Sequence, residues 1–126
     1  MKEHAPHGCE AAIVECIDYR FRPFIDDWLK ENFKDKDRKY DLISLAGSTK
    51  DLDFVSKQVD ISVNYHHIKQ LVLIHHEECA AYGAESTPEK HREDLLKAKA
   101  KVNEKHPALQ VSLFYLQLDG TFNEIK

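Results

Sequence analysis

An almost unbroken apolar run, QLVLIH at residues 70–75, constrains the fold of this chain more than any other feature. A strand that is apolar on both faces is typical of the centre of a parallel sheet covered by helices on both sides. Along the rest of the chain, predicted strands alternate with predicted helices. Strands are predicted at 11–16, 40–46, 70–75 and 111–118, and amphipathic helices at 24–33, 52–66 and 88–104. This alternation predicts an α/β fold with a four-stranded parallel sheet flanked by helices, and the tail leaves room for an extra edge strand.

Length and composition predict an irregular segment at residues 1–10 followed by a single domain at residues 11–126. A hydrophobic fraction of 42% is enough to form one core. A chain of 126 residues is too short for two full domains. A net charge of −4 without a basic stripe argues against nucleic acid and anionic lipid as partners. No apolar run approaches the ~20 residues of a membrane span, and three cysteines favour a reducing compartment. We therefore expect a cytoplasmic protein without membrane contact.

Reactive side chains follow two of the predicted strands. Cys16, Asp18 and Arg20 come after the first strand, and His76 and Cys79 after the third. If those strands are neighbours, their ends lie ~5 Å apart, at the edge where parallel α/β sheets bind ligands. Two thiolates and one imidazole suit Zn²⁺ better than Mg²⁺ or Ca²⁺, and three protein ligands leave a fourth position open. The sequence therefore predicts a zinc site on the two cysteines and the histidine.

Asp18 and Arg20 are two residues apart in an extended segment, so we expect a carboxylate–guanidinium pair beside this metal. Zinc lowers the pKa of bound water and supplies hydroxide near neutral pH. Asp18 would accept a hydrogen bond from that hydroxide, and Arg20 would keep the carboxylate ionised and in place. Because two thiolates cancel the charge of the ion, we expect activity that rises towards alkaline pH.

These motifs resemble those of the β-class carbonic anhydrases, whose signature is C-x-D-x-R followed some tens of residues later by H-x-x-C. The matching segments are CIDYR at 16–20 and HEEC at 76–79. VLIHHEEC at 72–79 is similar to the small archaeal-type branch, and LISLAGS at 42–48 lies where the family has an R-N-A-G-G-like loop. The resemblance covers nearly the whole chain. It implies a parallel α/β fold, a homodimer or higher homo-oligomer, and reversible hydration of carbon dioxide to bicarbonate.

By this resemblance Cys16, His76 and Cys79 hold zinc, and Asp18 with Arg20 forms the catalytic dyad. The chain departs from the family at Ser44 and Leu45, which stand in place of the Arg-Asn pair, and at Tyr19 and Ala80. Two alternatives stay open. One is a hydrolase of carbonyl sulfide or carbon disulfide on the same fold. The other is a catalytically silent protein in which Asp18 closes the zinc site and the ion only stabilises the fold.

The remaining histidines and charged segments favour structural interpretations. His66 and His67 are expected to end a helix, and His75 to turn away from the metal because neighbouring strand residues face opposite sides. His4, His7 and Cys9 have a loosely metal-like spacing, but a mobile tail is the preferred interpretation over a second metal site. The charged run at residues 34–39 predicts a solvated loop.

Overall fold

The computed structural model describes residues 7–33 and 39–126, which form a five-stranded sheet with helices on both faces. The strands are β1 (Ala11–Glu15), β2 (Tyr40–Ser44), β3 (Gln70–His76), β4 (Gln110–Leu116) and β5 (Phe122–Ile125). The helices are α1 (Arg22–Asn32), α2 (Leu52–His66) and α3 (Pro88–Lys105). The strand order is β2-β1-β3-β4-β5. The first four strands are parallel and β5 pairs antiparallel with β4, which confirms the predicted fold class and its extra edge strand.

Strand β3 lies at the centre of the sheet, as its apolar sequence predicts. It pairs with β1 on one side and β4 on the other, and six of its seven residues are buried. One face of the sheet packs against α2 and α3 through Val55, Val59, Leu95, Ala98 and Val102. The other face packs against Ile25 and Leu29 of α1 and against Phe21, which directly precedes this helix. With helices on both faces, the carboxyl ends of β1 and β3 meet at one edge of the sheet.

The helix boundaries follow local capping chemistry. Asp51 accepts a hydrogen bond from Phe54 N at 3.3 Å at the start of α2, and Thr87 accepts one from Lys90 N at 3.1 Å at the start of α3. Helix α2 ends at His66, as predicted, and His67 adopts a left-handed conformation with φ 54°. Helix α1 begins at Arg22 rather than Phe24. Pro23 lies in the first turn of this helix, because the fixed φ of proline suits that position.

The prediction of a mobile tail is wrong for His7 and Cys9. Cys9 N donates to His66 O at 3.0 Å, and the ring of His7 lies 4.9 Å from that of His66. Glu10 continues this attachment, since its N–H donates to Lys39 O at 2.8 Å. The segment that precedes β1 therefore packs against the end of α2. His4 and residues 34–38 of the predicted charged loop lie outside the described residues, so these two predictions are not tested.

None of the helices in the described ranges combines the length and the apolar character that crossing a bilayer requires.

Candidate metal centre

The structure brings together the three residues that the sequence analysis selects as metal ligands. Cys16 directly follows β1, His76 ends β3, and Cys79 lies in the turn after it. Because β1 and β3 are adjacent and parallel, these positions meet at one edge of the sheet. The two sulfur atoms and a ring nitrogen of His76 all lie within 4.8 Å of one another. His76 and Cys79 are buried and Cys16 is half-buried, so the cluster is largely shielded from water.

The ring of His76 is oriented as a metal ligand would be. Its Nδ1 lies 2.7 Å from Glu77 O, so this nitrogen carries the proton and donates it to the carbonyl. Nε2 therefore presents a lone pair, and it is buried without a hydrogen-bond partner among the described residues. A buried imidazole nitrogen without a partner, facing two thiols, is chemically incomplete. A zinc ion bound by one nitrogen and two sulfur atoms fits these donors.

Cys16 and Cys79 shift each other's pKa in opposite directions. The hydrogen bond from Cys79 lowers the pKa of the Cys16 thiol far below its usual range, with His76 and a backbone N–H contributing. The same interaction with Cys16, together with burial, raises the pKa of Cys79. Of the two thiols, Cys16 is therefore the one that ionises more readily. A divalent cation between the two sulfur atoms would displace any remaining thiol proton, because thiolates are the form that binds metals.

The loop after β2 supplies a backbone donor to this cluster. Gly47 N donates to Cys16 Sγ at 3.4 Å, which stabilises the thiolate. Gly47 adopts φ 83°, and a side-chain carbon there would lie 3.0 Å from Cβ of Ala81 and 3.1 Å from Cβ of Lys50. Glycine is therefore required both by the left-handed backbone and by the lack of space. Sequence reasoning placed this loop in the family pattern but did not identify its contact with the cysteine.

Asp18 and Arg20 form the predicted ion pair beside the cluster. Arg20 Nη2 donates to Asp18 Oδ2 at 2.8 Å and Nε to Oδ1 at 3.1 Å, and the backbone N of Arg20 also donates to Oδ1. These hydrogen bonds hold the pKa of the Asp18 carboxyl below its usual range. Asp18 Oδ2 lies 3.9 Å from His76 Nε2. The ionised carboxylate thus faces the same space as the unpartnered ring nitrogen.

Arg20 also connects the two strand ends that carry the cluster. Its Nη2 donates to the backbone oxygen of Glu78 at 3.1 Å, and its Nη1 to Glu78 Oε1 at 3.2 Å. Glu78 has φ 55°, so the turn between His76 and Cys79 is tight. One guanidinium therefore fixes both Asp18 and the turn that positions Cys79. The sequence analysis pairs Arg20 with Asp18 but does not identify its bridge to Glu78.

A cavity of about 560 Å³ opens beside Cys16. Its apolar lining comes from Ile17, Ala46, Ala80 and Ala81, while Asp18 and Arg20 contribute polar groups. Ile17 is 63% exposed and Tyr19 is 83% exposed at its rim. The cavity offers apolar walls to a small molecule next to the ionised carboxylate, and its apolar rim is uncovered in the single chain.

A buried ion pair below the cluster was missed by sequence reasoning. Glu15, the residue before Cys16, is only 1% exposed and accepts hydrogen bonds from Arg22 Nη1 at 2.5 Å and Nη2 at 2.8 Å. Ser44 Oγ donates to the same carboxylate at 3.0 Å. Ser44 is one of the departures from the family loop, and its hydroxyl is used here. The only sequence signal was a charged residue at the end of an otherwise apolar strand.

A chain of buried polar side chains runs from the other side of the cluster. Cys79 N donates to Ser86 Oγ, Ser86 Oγ lies 2.9 Å from His91 Nε2, and His91 Nδ1 lies 2.8 Å from His75 Nδ1. His75 Nε2 then contacts Thr49 Oγ1 at 2.6 Å. His75 thus turns away from His76, as predicted. Burial lowers the pKa of His75 to about 3 and that of His91 to about 4, so both rings are neutral.

The chain matches the protein family described as "Putative carbonic anhydrase" over residues 7–126. A relative in Rickettsia bellii, described only as an uncharacterized protein, is 30% identical over 145 aligned positions. The alignment covers 98% of this chain and 87% of the relative. The archaeal-type branch suggested by VLIHHEEC stays a prediction.

Solved structures share the fold at low sequence identity. A carbonic anhydrase from Streptococcus mutans is 17% identical with a TM-score of 0.69, covering all of this chain and 88% of that one. The apo form of a carbon disulfide hydrolase is 10% identical with a TM-score of 0.62, covering 96% of this chain and 80% of that one. The family match extends over both strand ends that carry the cysteine and histidine cluster. The chain therefore belongs to the family described as putative carbonic anhydrases, with a β-carbonic-anhydrase fold.

Proposed function

We propose that this protein is a zinc-dependent carbonic anhydrase that catalyses the reversible hydration of carbon dioxide to bicarbonate. The observation that carries this proposal is the unpartnered Nε2 of His76, which faces the thiols of Cys16 and Cys79, with the Asp18 carboxylate 3.9 Å away. Membership of the family supports the same reaction. The two thiols and the imidazole alone would also suit a structural zinc, whereas the ion pair of Asp18 with Arg20 beside them favours a catalytic one.

In this proposal Cys16, His76 and Cys79 hold the ion. Zinc bound there would lower the pKa of a water molecule and provide a nucleophile near neutral pH. Asp18 accepts a hydrogen bond from the attacking water and directs its lone pair towards the carbon of the substrate. Arg20 acts as a positioning residue, because its hydrogen bonds keep the carboxylate ionised and fix its direction.

The hydrogen bonds of Asp18 favour an open fourth position over a closed structural site. Both of its carboxylate oxygens already accept hydrogen bonds from Arg20. Binding to zinc would require the carboxylate to give up part of this pairing. The alternative in which Asp18 closes the site and the protein is silent therefore loses support from the geometry. It is retained as one outcome of the experiment below.

The cavity suits a small, linear, apolar gas. Its walls at Ile17, Ala46, Ala80 and Ala81 offer no charge to compete with Asp18 and Arg20 for the substrate. The rim residue Tyr19 is highly exposed, and a second copy of the chain would cover it. We propose a homodimer in which the partner subunit completes this cavity.

Hydrolysis of carbon disulfide or carbonyl sulfide is the second candidate, and the loop after β2 favours it. The family's polar Arg-Asn pair is replaced by Ser44 and Leu45, and the Ser44 hydroxyl is occupied by Glu15. The loop therefore adds no charged side chain beside the cavity at these two positions, which suits a sulfur-containing gas. A solved carbon disulfide hydrolase with the same fold supports this alternative.

Stopped-flow measurement of carbon dioxide hydration from pH 7 to 9, on protein with measured zinc content, tests the proposal. We expect a rate well above buffer that increases with pH. Asp18→Asn should lower it about 100-fold at unchanged zinc content. Asp26→Asn is the matched control, because Asp26 forms an exposed ion pair with Arg22 at 3.0 Å. This control should hydrate carbon dioxide like the wild type.

Sulfide release from carbon disulfide and carbonyl sulfide is measured on the same samples. Rapid sulfide release without carbon dioxide hydration would replace the first candidate by the second. Zinc-loaded protein that shows neither activity at any pH would contradict both candidates and support the silent, zinc-stabilised protein.

A further inference from the structure

A second group of metal-ligating side chains lies at the opposite edge of the sheet, where the parallel strands begin. Cys9 precedes β1, Asp41 is the second residue of β2, and His66 is the last residue of α2. The Cys9 sulfur, a carboxylate oxygen of Asp41 and a ring nitrogen of His66 all lie within 4.8 Å of one another. All three residues are half-buried. None of them belongs to the candidate metal centre.

Each of these side chains is held in place by its surroundings. Asp41 Oδ2 accepts a hydrogen bond from Ser62 Oγ at 2.7 Å and lies 2.6 Å from His66 Nδ1. Cys9 N donates to the backbone oxygen of His66 at 3.0 Å, and a side chain at Gly8 would lie 3.2 Å from that same oxygen. The backbone that carries the sulfur is therefore fixed directly on the end of α2. Supporting contacts of this kind orient the ligands of a metal site.

The donor set and its spacing suit a zinc-type ion. Thiolate, imidazole and carboxylate are zinc ligands, and sulfur excludes a preference for Mg²⁺ or Ca²⁺. Tetrahedral zinc with bond lengths of ~2.0 Å to nitrogen or oxygen and ~2.3 Å to sulfur separates its ligand atoms by about 3.3–3.6 Å. The ligand atoms of the cluster, all within 4.8 Å of one another, would draw closer around the ion. The distance between His66 Nδ1 and Asp41 Oδ2, now 2.6 Å, would increase, because the ion would take the place of the proton between these two atoms.

The surroundings also favour a cation. His66 lies in the last turn of α2, where the helix dipole attracts positive charge. With the ion bound and the thiol proton of Cys9 displaced, Asp41 and Cys9 would supply two negative charges, against one positive charge from Lys39 in the lining of the same cavity. That cavity, of about 490 Å³, also includes His7 and gives the ion access.

A role for Cys9 as a nucleophile fits the site less well. Burial and the charge of Asp41 raise the pKa of its thiol, and its sulfur donates weakly to Ala11 O at 3.5 Å. A protonated, half-buried thiol reacts slowly. The hydrogen-bonded contact between Asp41 and His66 already joins β2 to α2 and needs no sulfur to do so.

We propose that Cys9, Asp41 and His66 form a second site for a divalent zinc-type ion, which fastens the segment before β1 to β2 and to the end of α2. The inference is independent of the proposed catalytic function, because it concerns a different set of residues at the other edge of the sheet.

Titration of metal-free protein with Co²⁺, followed by thiolate charge-transfer absorption and by metal analysis, tests this site. The wild type should bind two equivalents per chain. Cys9→Ser should bind one equivalent and retain the carbon dioxide hydration rate of the wild type, whatever that rate is. Cys16→Ser should also bind one equivalent, and the double variant none. A wild type that binds a single equivalent, or a Cys9→Ser variant that still binds two, would overturn the proposal.

Thermal unfolding gives a second measurement that does not depend on activity. In the Cys16→Ser background, where only the second site remains, Zn²⁺ should raise Tm, and His66→Asn should abolish this rise. His67→Asn is the matched control, because His67 is exposed and follows His66 directly but is outside the cluster. It should retain the full zinc-dependent rise. Equal rises in the His66 and His67 variants would exclude His66 as a ligand and contradict the site.

Discussion

Replacing Arg22 by alanine leaves the Glu15 carboxylate buried without its cation, and we expect a large loss of stability. Removing one partner of a buried ion pair costs about 3–5 kcal/mol, because the remaining charge is uncompensated. Glu15 is 1% exposed, whereas the Arg22 side chain is 38% exposed, so water would enter part of the vacated space. We therefore expect the lower end, about 3 kcal/mol. In a chain of this length that corresponds to a fall in Tm of about 10 °C.

Urea unfolding of four proteins measures this effect: the wild type, Arg22→Ala, Glu15→Gln and the double variant. Glu15→Gln removes the buried charge itself, so the double variant should be more stable than Arg22→Ala alone, although it carries one more substitution. Lys101→Ala is the matched control. Lys101 forms an ion pair with Asp53 at 2.6 Å, nearly as short as the pair between Arg22 and Glu15, but on the surface. Its loss should leave the unfolding midpoint unchanged within error.

Two results would refute this reasoning. If Arg22→Ala destabilised the protein no more than Lys101→Ala does, burial of Glu15 would add nothing to the stability that its ion pair contributes. If the double variant were less stable than Arg22→Ala, the loss would come from missing packing of the Arg22 side chain and not from an unpaired charge.

Three further predictions follow from the site and its surroundings. Arg20→Gln should lower the carbon dioxide hydration rate at pH 8 at least tenfold, measured by stopped flow, because Asp18 loses the group that orients it; an unchanged rate would contradict its positioning role. Gly47→Ala should destabilise the protein by more than the ~1–2 kcal/mol that a left-handed backbone costs alanine, because the added methyl group also lacks space. Urea unfolding measures this loss, and an unchanged midpoint would show that the loop relaxes freely. In the folded protein His75 and His91 stay neutral down to about pH 3 and about pH 4, whereas in the unfolded chain both histidines become protonated below about pH 6.5. The free energy of unfolding should therefore decrease as the pH is lowered, by at most about 2.7 kcal/mol per pH unit. His91→Phe should make that fall shallower in melts from pH 7 to 4.5, and an identical slope would contradict the assignment.

The fold could be predicted because its determinants are local or periodic. The apolar run of β3 identifies the central strand, and the alternation of strands and helices identifies a parallel sheet. The candidate site follows from the same topology. Cys16 directly follows β1 and His76 is the last residue of β3. Neighbouring parallel strands end at the same edge, so the proximity of these two residues needs no further information.

Contacts between distant elements could not be predicted in this way. Glu15, Arg22 and Ser44 come from a strand, a helix and another strand, and no spacing in the sequence relates them. The mobile tail predicted for Cys9 was wrong for the same reason. Its attachment depends on the backbone oxygen of His66, which every residue possesses and which therefore leaves no mark on the sequence.

The contacts of Arg20 decide which variant gives the clearest test of the catalytic proposal. Its guanidinium holds both the Asp18 carboxylate and the backbone oxygen of Glu78, in the turn that carries Cys79. Replacing Arg20 therefore changes the direction of the carboxylate and loosens the turn of a candidate ligand, so a lower rate could arise from either effect. Asp18→Asn keeps Arg20 and its bond to Glu78 while removing the negative charge that faces His76 Nε2. Only a loss of activity in Asp18→Asn at unchanged zinc content assigns the chemistry to the carboxylate.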